Sequence, residues 1–298
     1  MSAITKETVT LAGHHSVASL KNILFATDFS APSMKAFPYV TALAKKFGAS
    51  VFACHVITPT SLVAAAPQAA SYVYEAEHNA ATKELENILG SPELKELNTQ
   101  ALLSSGILGD VLLDEINKNK IDLIVAGTHG RTGWSRLLLG STVETICRVA
   151  TCPVLSVGPE APDPEINFQH ILVPTDLSEE SRRSLPFVVQ LAGEYGASVT
   201  ILHVLPEETA GNPEAKALFE QVFANVAHIF QEQLVLLKTE FVIESGGTAA
   251  TILKVAREKK ADLIAMGIRG AFLPGFQPRM SVAYRVMAGA HCPVITCR

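Results

Sequence analysis

Short, continuous apolar runs alternate with longer amphipathic stretches along most of the chain. Ile23-Leu24-Phe25-Ala26, Val51-Phe52-Ala53-Cys54 and Leu123-Ile124-Val125-Ala126 have the pattern of strands buried on both faces of a parallel sheet. The pattern predicts strands over 23–27, 50–56, 121–126 and 153–157, with a further strand and helices between them. One helix is expected from about Ser33 to Phe47, closed by Gly48 as a C-terminal cap. A second is expected from Ser71 to Leu89, after an Ala-rich loop (59–70) in which Pro59 and Pro67 interrupt any helix. A third runs from Ser141 to Ala150, with Val143, Ile146 and Val149 on one face. Strands alternating with helices imply a parallel sheet covered on both sides.

The pattern occurs twice. Ile23-Leu24-Phe25-Ala26-Thr27-Asp28-Phe29-Ser30 returns as Ile171-Leu172-Val173-Pro174-Thr175-Asp176-Leu177-Ser178, and Gly48-Ala49-Ser50-Val51 as Gly196-Ala197-Ser198-Val199. Asp176 follows Asp28, and His203 follows His55, by 148 positions; Asp262 follows Asp122, and Cys292 follows Cys152, by 140. The second copy is therefore eight residues shorter between those landmarks, and the chain is a duplicated domain rather than a short-period array. The expected division is a loose arm over 1–20, a first domain over 21–158 and a second over 169–298. Pro159, Pro162 and Pro164 mark the linker between the domains.

Chemistry concentrates after the strand ending at Ala126. There Gly127-Thr128-His129-Gly130-Arg131 and the following residues lead through Gly140 to Ser141-Thr142 and a helix. Glycines let a backbone approach closely, and the free N–H groups of a first helical turn attract phosphate. Ser141 can cap that helix or donate its hydroxyl to a phosphate oxygen. A plain strand-to-helix connection explains such a loop equally well. Asp28 reads either as a ligand-facing carboxylate or as the cap of the helix after it. His55 and His203, at apolar strand ends, read as core histidines. His129 and Arg131 read as phosphate contacts or a solvated pair, Trp134 as a packing lid rather than a stacking platform, and Arg136 as a clamp or a surface charge.

Composition narrows the field. The 298 residues are 48% hydrophobic and 18% charged, which suffices for two cores and is too little charge for disorder. A net charge of −5 with no basic run leaves no footprint for nucleic acid. No apolar stretch reaches the roughly 18 residues of a membrane span. With no signal peptide visible, a cytoplasmic protein is expected. Five cysteines fit no zinc spacing and read as reduced, structural thiols.

Taken together, Thr-Asp-x-Ser after the first strand, His-Val in the second, Asp-Leu-Ile before the fourth and Gly-x2-Gly-x9-Gly-Ser resemble the universal stress proteins, as a tandem pair. The resemblance implies two five-stranded parallel α/β sandwiches, Rossmann-like, with strand order 3-2-1-4-5. Ligands of such sheets sit beyond the strand ends where neighbouring connections diverge. It further implies ATP, with Mg or Mn, as ligand of the first copy in a stress-response protein. Ala26, Thr27 and Asp28 would line the adenosine side, and Val56 would hold adenine through its backbone. Ala126, Gly127, Gly130 and Arg131 would follow ribose and phosphate, and Gly140, Ser141 and Thr142 would cradle the phosphates. Asp28 would also be the residue nearest the metal. The implied partners are the adenine nucleotide, the other copy in an intramolecular pseudo-dimer joined through the last strands, and an unidentified protein; a homodimer is left open. A slow Mg-dependent ATPase is the second reading, although there is no Walker lysine and no arranged acid–base pair. The third is a ligand-free interaction module.

The second copy departs from the motif. Gly267, Gly270, Asp176 and Ser281 are retained, but Met280 replaces the third glycine, and Phe272, Pro274, Phe276 and Pro278 occupy the loop. A methionine fills space that phosphate would use, and proline removes N–H donors. That loop is expected to be a hydrophobic plug or an exposed contact.

Overall fold

The computed structural model describes residues 20–58, 67–128, 139–162, 166–209, 213–214, 217, 221, 237–268 and 281–298. The N-terminal half runs β1 (Asn22–Ala26), α1 (Ala31–Met34), α2 (Phe37–Phe47), β2 (Ser50–Ile57), α3 (Pro67–Leu89), β3 (Thr99–Ser105), α4 (Leu108–Asn119), β4 (Leu123–Gly127), α5 (Ser141–Val149) and β5 (Val154–Val157). The C-terminal half runs β6 (His170–Thr175), α6 (Glu179–Arg182), α7 (Leu185–Tyr195), β7 (Ser198–Leu205), β8 (Thr239–Ser245), α8 (Thr248–Glu258), β9 (Leu263–Gly267), α9 (Val282–Gly289) and β10 (Val294–Cys297).

The ten strands among the described residues form one sheet in the order β3-β2-β1-β4-β5-β10-β9-β6-β7-β8. Each half is parallel and has the order 3-2-1-4-5 counted within itself. The last strands join the halves, with β10 antiparallel to β5 and Ile295 opposite Leu155. The apolar runs explain the layering. Ile23 and Phe25 project into one buried cluster and Leu24 and Ala26 into the other, as successive side chains must in a strand. Both clusters continue across the joint into the second half: Leu155 and Ile295 share the first, Val154 and Val294 the second.

Two expectations need correction. The helix expected over 33–47 is two helices, because Pro38 lacks the N–H that a continuous helix would direct to the Met34 carbonyl. Gly48 closes α2 at φ 63°, as expected. Pro67 does not interrupt a helix; it begins α3, since proline is well suited to a first turn, where its missing N–H would have no helical partner. The linker is held against the first half: Lys35 Nζ donates to the Pro159 carbonyl at 2.8 Å and Tyr39 OH to that of Pro162 at 2.9 Å. Among the described residues, no helix is long and apolar enough to cross a membrane.

Candidate functional site

The site forms where β1 and β4 end side by side, with Ala26 opposite Ala126. Beyond β1 the chain makes a compact turn. Thr27 is buried; its hydroxyl accepts from the Phe29 amide at 2.9 Å and is hydrogen-bonded to the Ser33 hydroxyl at 3.0 Å. Phe29 takes the left-handed conformation at φ 64°. Asp28 is half-buried, and its Oδ1 accepts from the Ser30 amide at 3.0 Å and the Ser30 hydroxyl at 2.6 Å. The cap of α1 is thus Ser30, whose hydroxyl accepts from the Ser33 amide, and Asp28 orients that cap. Asp28 stands at the crevice with its carboxylate fixed by two charge-assisted hydrogen bonds.

β2 outruns β1. The Cys54 carbonyl accepts from the Thr27 amide on the β1 side, and the Ile57 carbonyl accepts from the Gly106 amide on the β3 side. Alternate residues of a strand direct their backbone groups to opposite neighbours, so Val56 turns its N–H and C=O toward the space past the end of β1. His55 Nδ1 donates to the Thr27 carbonyl at 2.8 Å, which fixes its tautomer, and its ring lies 4.4 Å from that of Phe29. It is a satisfied structural histidine.

Gly127 has a packing reason to be glycine. A Cβ there would lie 2.7 Å from both the Pro32 oxygen and the Ser33 Cα, so α1 crosses directly over the end of β4. The chain beyond is anchored at both ends: the Thr128 amide donates to the Val157 carbonyl at 2.9 Å, and the Thr128 carbonyl accepts from the Gly140 amide at 2.7 Å. This brings the start of α5 back beside Gly127. Gly140 is the N-terminal cap residue and provides no side-chain cap. Ser141 and Thr142 are both exposed in the first turn. Gly130, Arg131, His129, Trp134 and Arg136 lie outside the described residues.

The structure therefore gathers Ala26, Thr27, Asp28, Val56, Ala126, Gly127, Gly140, Ser141 and Thr142 at one edge of the N-terminal half-sheet. Among the described residues, no group of three His, Cys, Asp or Glu side chains is arranged to hold a metal. Burial pushes the thiol pKa of Cys54, Cys152, Cys292 and Cys297 up to about 12 and that of Cys147 up to about 11.

A model of the universal stress protein family matches residues 19–158 and again 167–298. The chain belongs to the universal stress protein family. A universal stress protein of Methanocaldococcus jannaschii is 33% identical over 141 residues, covering 46% of this chain and 81% of that protein. One from Synechocystis is 36% identical over 141 residues, covering 44% of this chain and 85% of the relative. Across both halves, the crystal structure of a universal stress protein from Archaeoglobus fulgidus superposes with a TM-score of 0.69. It covers 93% of this chain and 98% of that one at 20% identity, a likeness of fold.

As a tandem universal stress protein, the chain allows its two sites to be compared directly. The turn after β6 repeats the first: Thr175 with Ser181 at 2.8 Å, Asp176 Oδ1 accepting from the Ser178 amide and hydroxyl, and His203 Nδ1 donating to the Thr175 carbonyl at 2.8 Å. The two differ at the later helix. Ser281 caps α9 with its own hydroxyl, which accepts from the Tyr284 amide at 3.1 Å. Met280, Phe272, Pro274, Phe276 and Pro278, where a plug or contact was expected, lie outside the described residues. Sequence reasoning had Ser30 in the Thr-Asp-x-Ser motif and Ser33 at a helix start but offered Asp28 as the cap; the cap role of Ser30 and the Ser33–Thr27 bond, repeated at Ser178 and Ser181, were missed. It also missed Tyr284, whose hydroxyl meets the backbone of Leu139 across the joint.

Proposed function

We propose that the chain binds one ATP in its N-terminal half and acts as a nucleotide-dependent regulatory protein in a stress response. The observation that carries this reading is the first turn of α5, which presents exposed Ser141 and Thr142, has no side-chain cap from Gly140, and is returned by the Thr128–Gly140 hydrogen bond to the ends of β1 and β4. Exposed N–H groups and the hydroxyls of Ser141 and Thr142 suit phosphate oxygens. Asp28 faces the same crevice, and the backbone of Val56 offers a donor and an acceptor where a planar base would sit. The sequence motif alone would assign Gly130 and Arg131 to the phosphate side, and Thr27 and Ala126 would shape its floor. A divalent ion carried in by the triphosphate would meet one carboxylate, Asp28, an arrangement usual for magnesium bound mainly through phosphate and water.

A second reading has its own support. The Thr-Asp-x-Ser turn and Gly127 are fully accounted for by hydrogen bonding and packing, and both recur in the second half, so these features also fit a ligand-free module. Calorimetric titration with ATP and magnesium separates the two. One equivalent per chain is expected; no binding would favour the ligand-free module, and two equivalents would remove the asymmetry between halves. Phosphate release under the same conditions tests slow hydrolysis.

A further inference from the structure

We infer that Tyr284, a residue of the C-terminal half, is a positioning residue for the phosphate side of the N-terminal site. This rests on the ATP reading above. Tyr284 lies in the first turn of α9 and is only 5% exposed. Its hydroxyl accepts from the Leu139 amide at 3.1 Å and donates to the Leu139 carbonyl at 3.3 Å. Leu139 is itself buried and immediately precedes Gly140, the cap residue of α5.

A buried amide and carbonyl outside any helix or strand need partners, and one hydroxyl from the other half satisfies both. The end of the glycine loop is consequently fixed at two successive residues. Gly140 is held by its own half through Thr128, and Leu139 by the other half through Tyr284. The direction of the N–H groups that follow, at Ser141 and Thr142, depends on both anchors.

The tyrosine is in turn well placed. Its ring is buried in the first turn of α9, whose start is capped by the Ser281 hydroxyl accepting from the Tyr284 amide. The position corresponding to Tyr284 in the first half is Glu144, so the sequence does not repeat the tyrosine there. The support therefore runs from the second half to the first. It assigns the half with the departed glycine motif a role in its neighbour's site.

The test is Tyr284→Phe, which keeps the ring in its buried position and removes only the hydroxyl. ATP and adenosine are titrated separately against the parent and the variant. The expected result is ATP affinity lower by about five- to tenfold, the scale of losing a pair of neutral hydrogen bonds, with adenosine affinity unchanged. Ser281→Ala serves as a control for general loosening of α9: it should lower the melting temperature while leaving the ratio of ATP to adenosine affinity alone. Amide hydrogen exchange at Leu139 and Gly140 reports the anchor without any ligand and should accelerate in Tyr284→Phe. An unchanged affinity ratio in a parent that binds ATP would overturn the inference. Unchanged exchange at Leu139 would overturn it as well, whether or not the parent binds. A parent that binds no ATP, with exchange accelerated, would count against the proposed function and leave the anchor established.

Discussion

In the N-terminal half, the Oδ1 of half-buried Asp28 accepts from the amide and hydroxyl of Ser30; in the C-terminal half, exposed Asp176 accepts the same pair from Ser178. The turns share these bonds, yet the strands beneath them do not match. β1 and β4 keep four residue pairs in register, up to Ala26 and Ala126, whereas β6 and β9 keep two and end at Leu172 and Ile264. The reason is Pro174. It stands where Ala26 directs its N–H toward β4, and proline has no N–H to give. The helix above also sits closer: a Cβ on Gly267 would collide with the Glu180 carbonyl, a tighter approach than the Pro32 contact over Gly127. A turn can thus keep its aspartate and serine hydrogen bonds while the strands it borders pair differently.

Importing the second half's residue into the first is the most severe test of that difference. Gly140→Met should eliminate ATP binding, measured by calorimetry, with little change in the melting temperature. Retained affinity would mean that the first turn of α5 is not the phosphate site. Next in size is the paired removal of the aspartates. Asp28→Ala should weaken ATP binding by about 1.5–3 kcal/mol, roughly ten- to more than a hundredfold. Asp176→Ala removes the equivalent hydrogen bonds and should leave ATP binding as it was. Equal effects on binding would erase the distinction between the halves.

The glycines under the turns provide a stability comparison of smaller size. Gly127→Ala should cost about 1–3 kcal/mol, the usual range for forcing extra volume into a packed site, and Gly267→Ala should cost more. Denaturant unfolding of the two variants would show whether α6 does press harder on its strand than α1. The smallest effect concerns the caps. Ser281→Ala should lower stability by about 1 kcal/mol. Ser141→Ala, which removes no cap, should leave stability unchanged and reduce ATP affinity a few-fold.

Much of this architecture could be read from the residues alone, because the strands are buried on both faces and their apolar runs are unbroken. The recurrence of Asp28 as Asp176 and of His55 as His203 exposed the duplication, and the apolar last strands pointed to the joint. The break in the first helix was missed although Pro38 was visible, since the apolar periodicity on either side runs straight through it. The packing need for Gly127 was also hidden. A glycine next to a candidate phosphate loop reads as a ligand contact, and only the crossing of α1 shows what else requires it. The Tyr284–Leu139 contact spans 145 positions and depends on how the halves meet, which no local pattern encodes.

The antiparallel joint between β5 and β10 has a consequence for how the two halves can change. In a dimer of identical chains, every substitution appears on both sides of the axis at once. Here the chain from Val157 to His170 makes the pairing intramolecular, with a local concentration on the order of millimolar for a short tether. A joint of three registered residue pairs then needs little intrinsic affinity to stay closed. One side can trade a glycine for a methionine, or a glutamate for a tyrosine, without imposing the exchange on the other. Each molecule always contains one half of each kind, so division of labour is inherited with the chain and needs no partner selection.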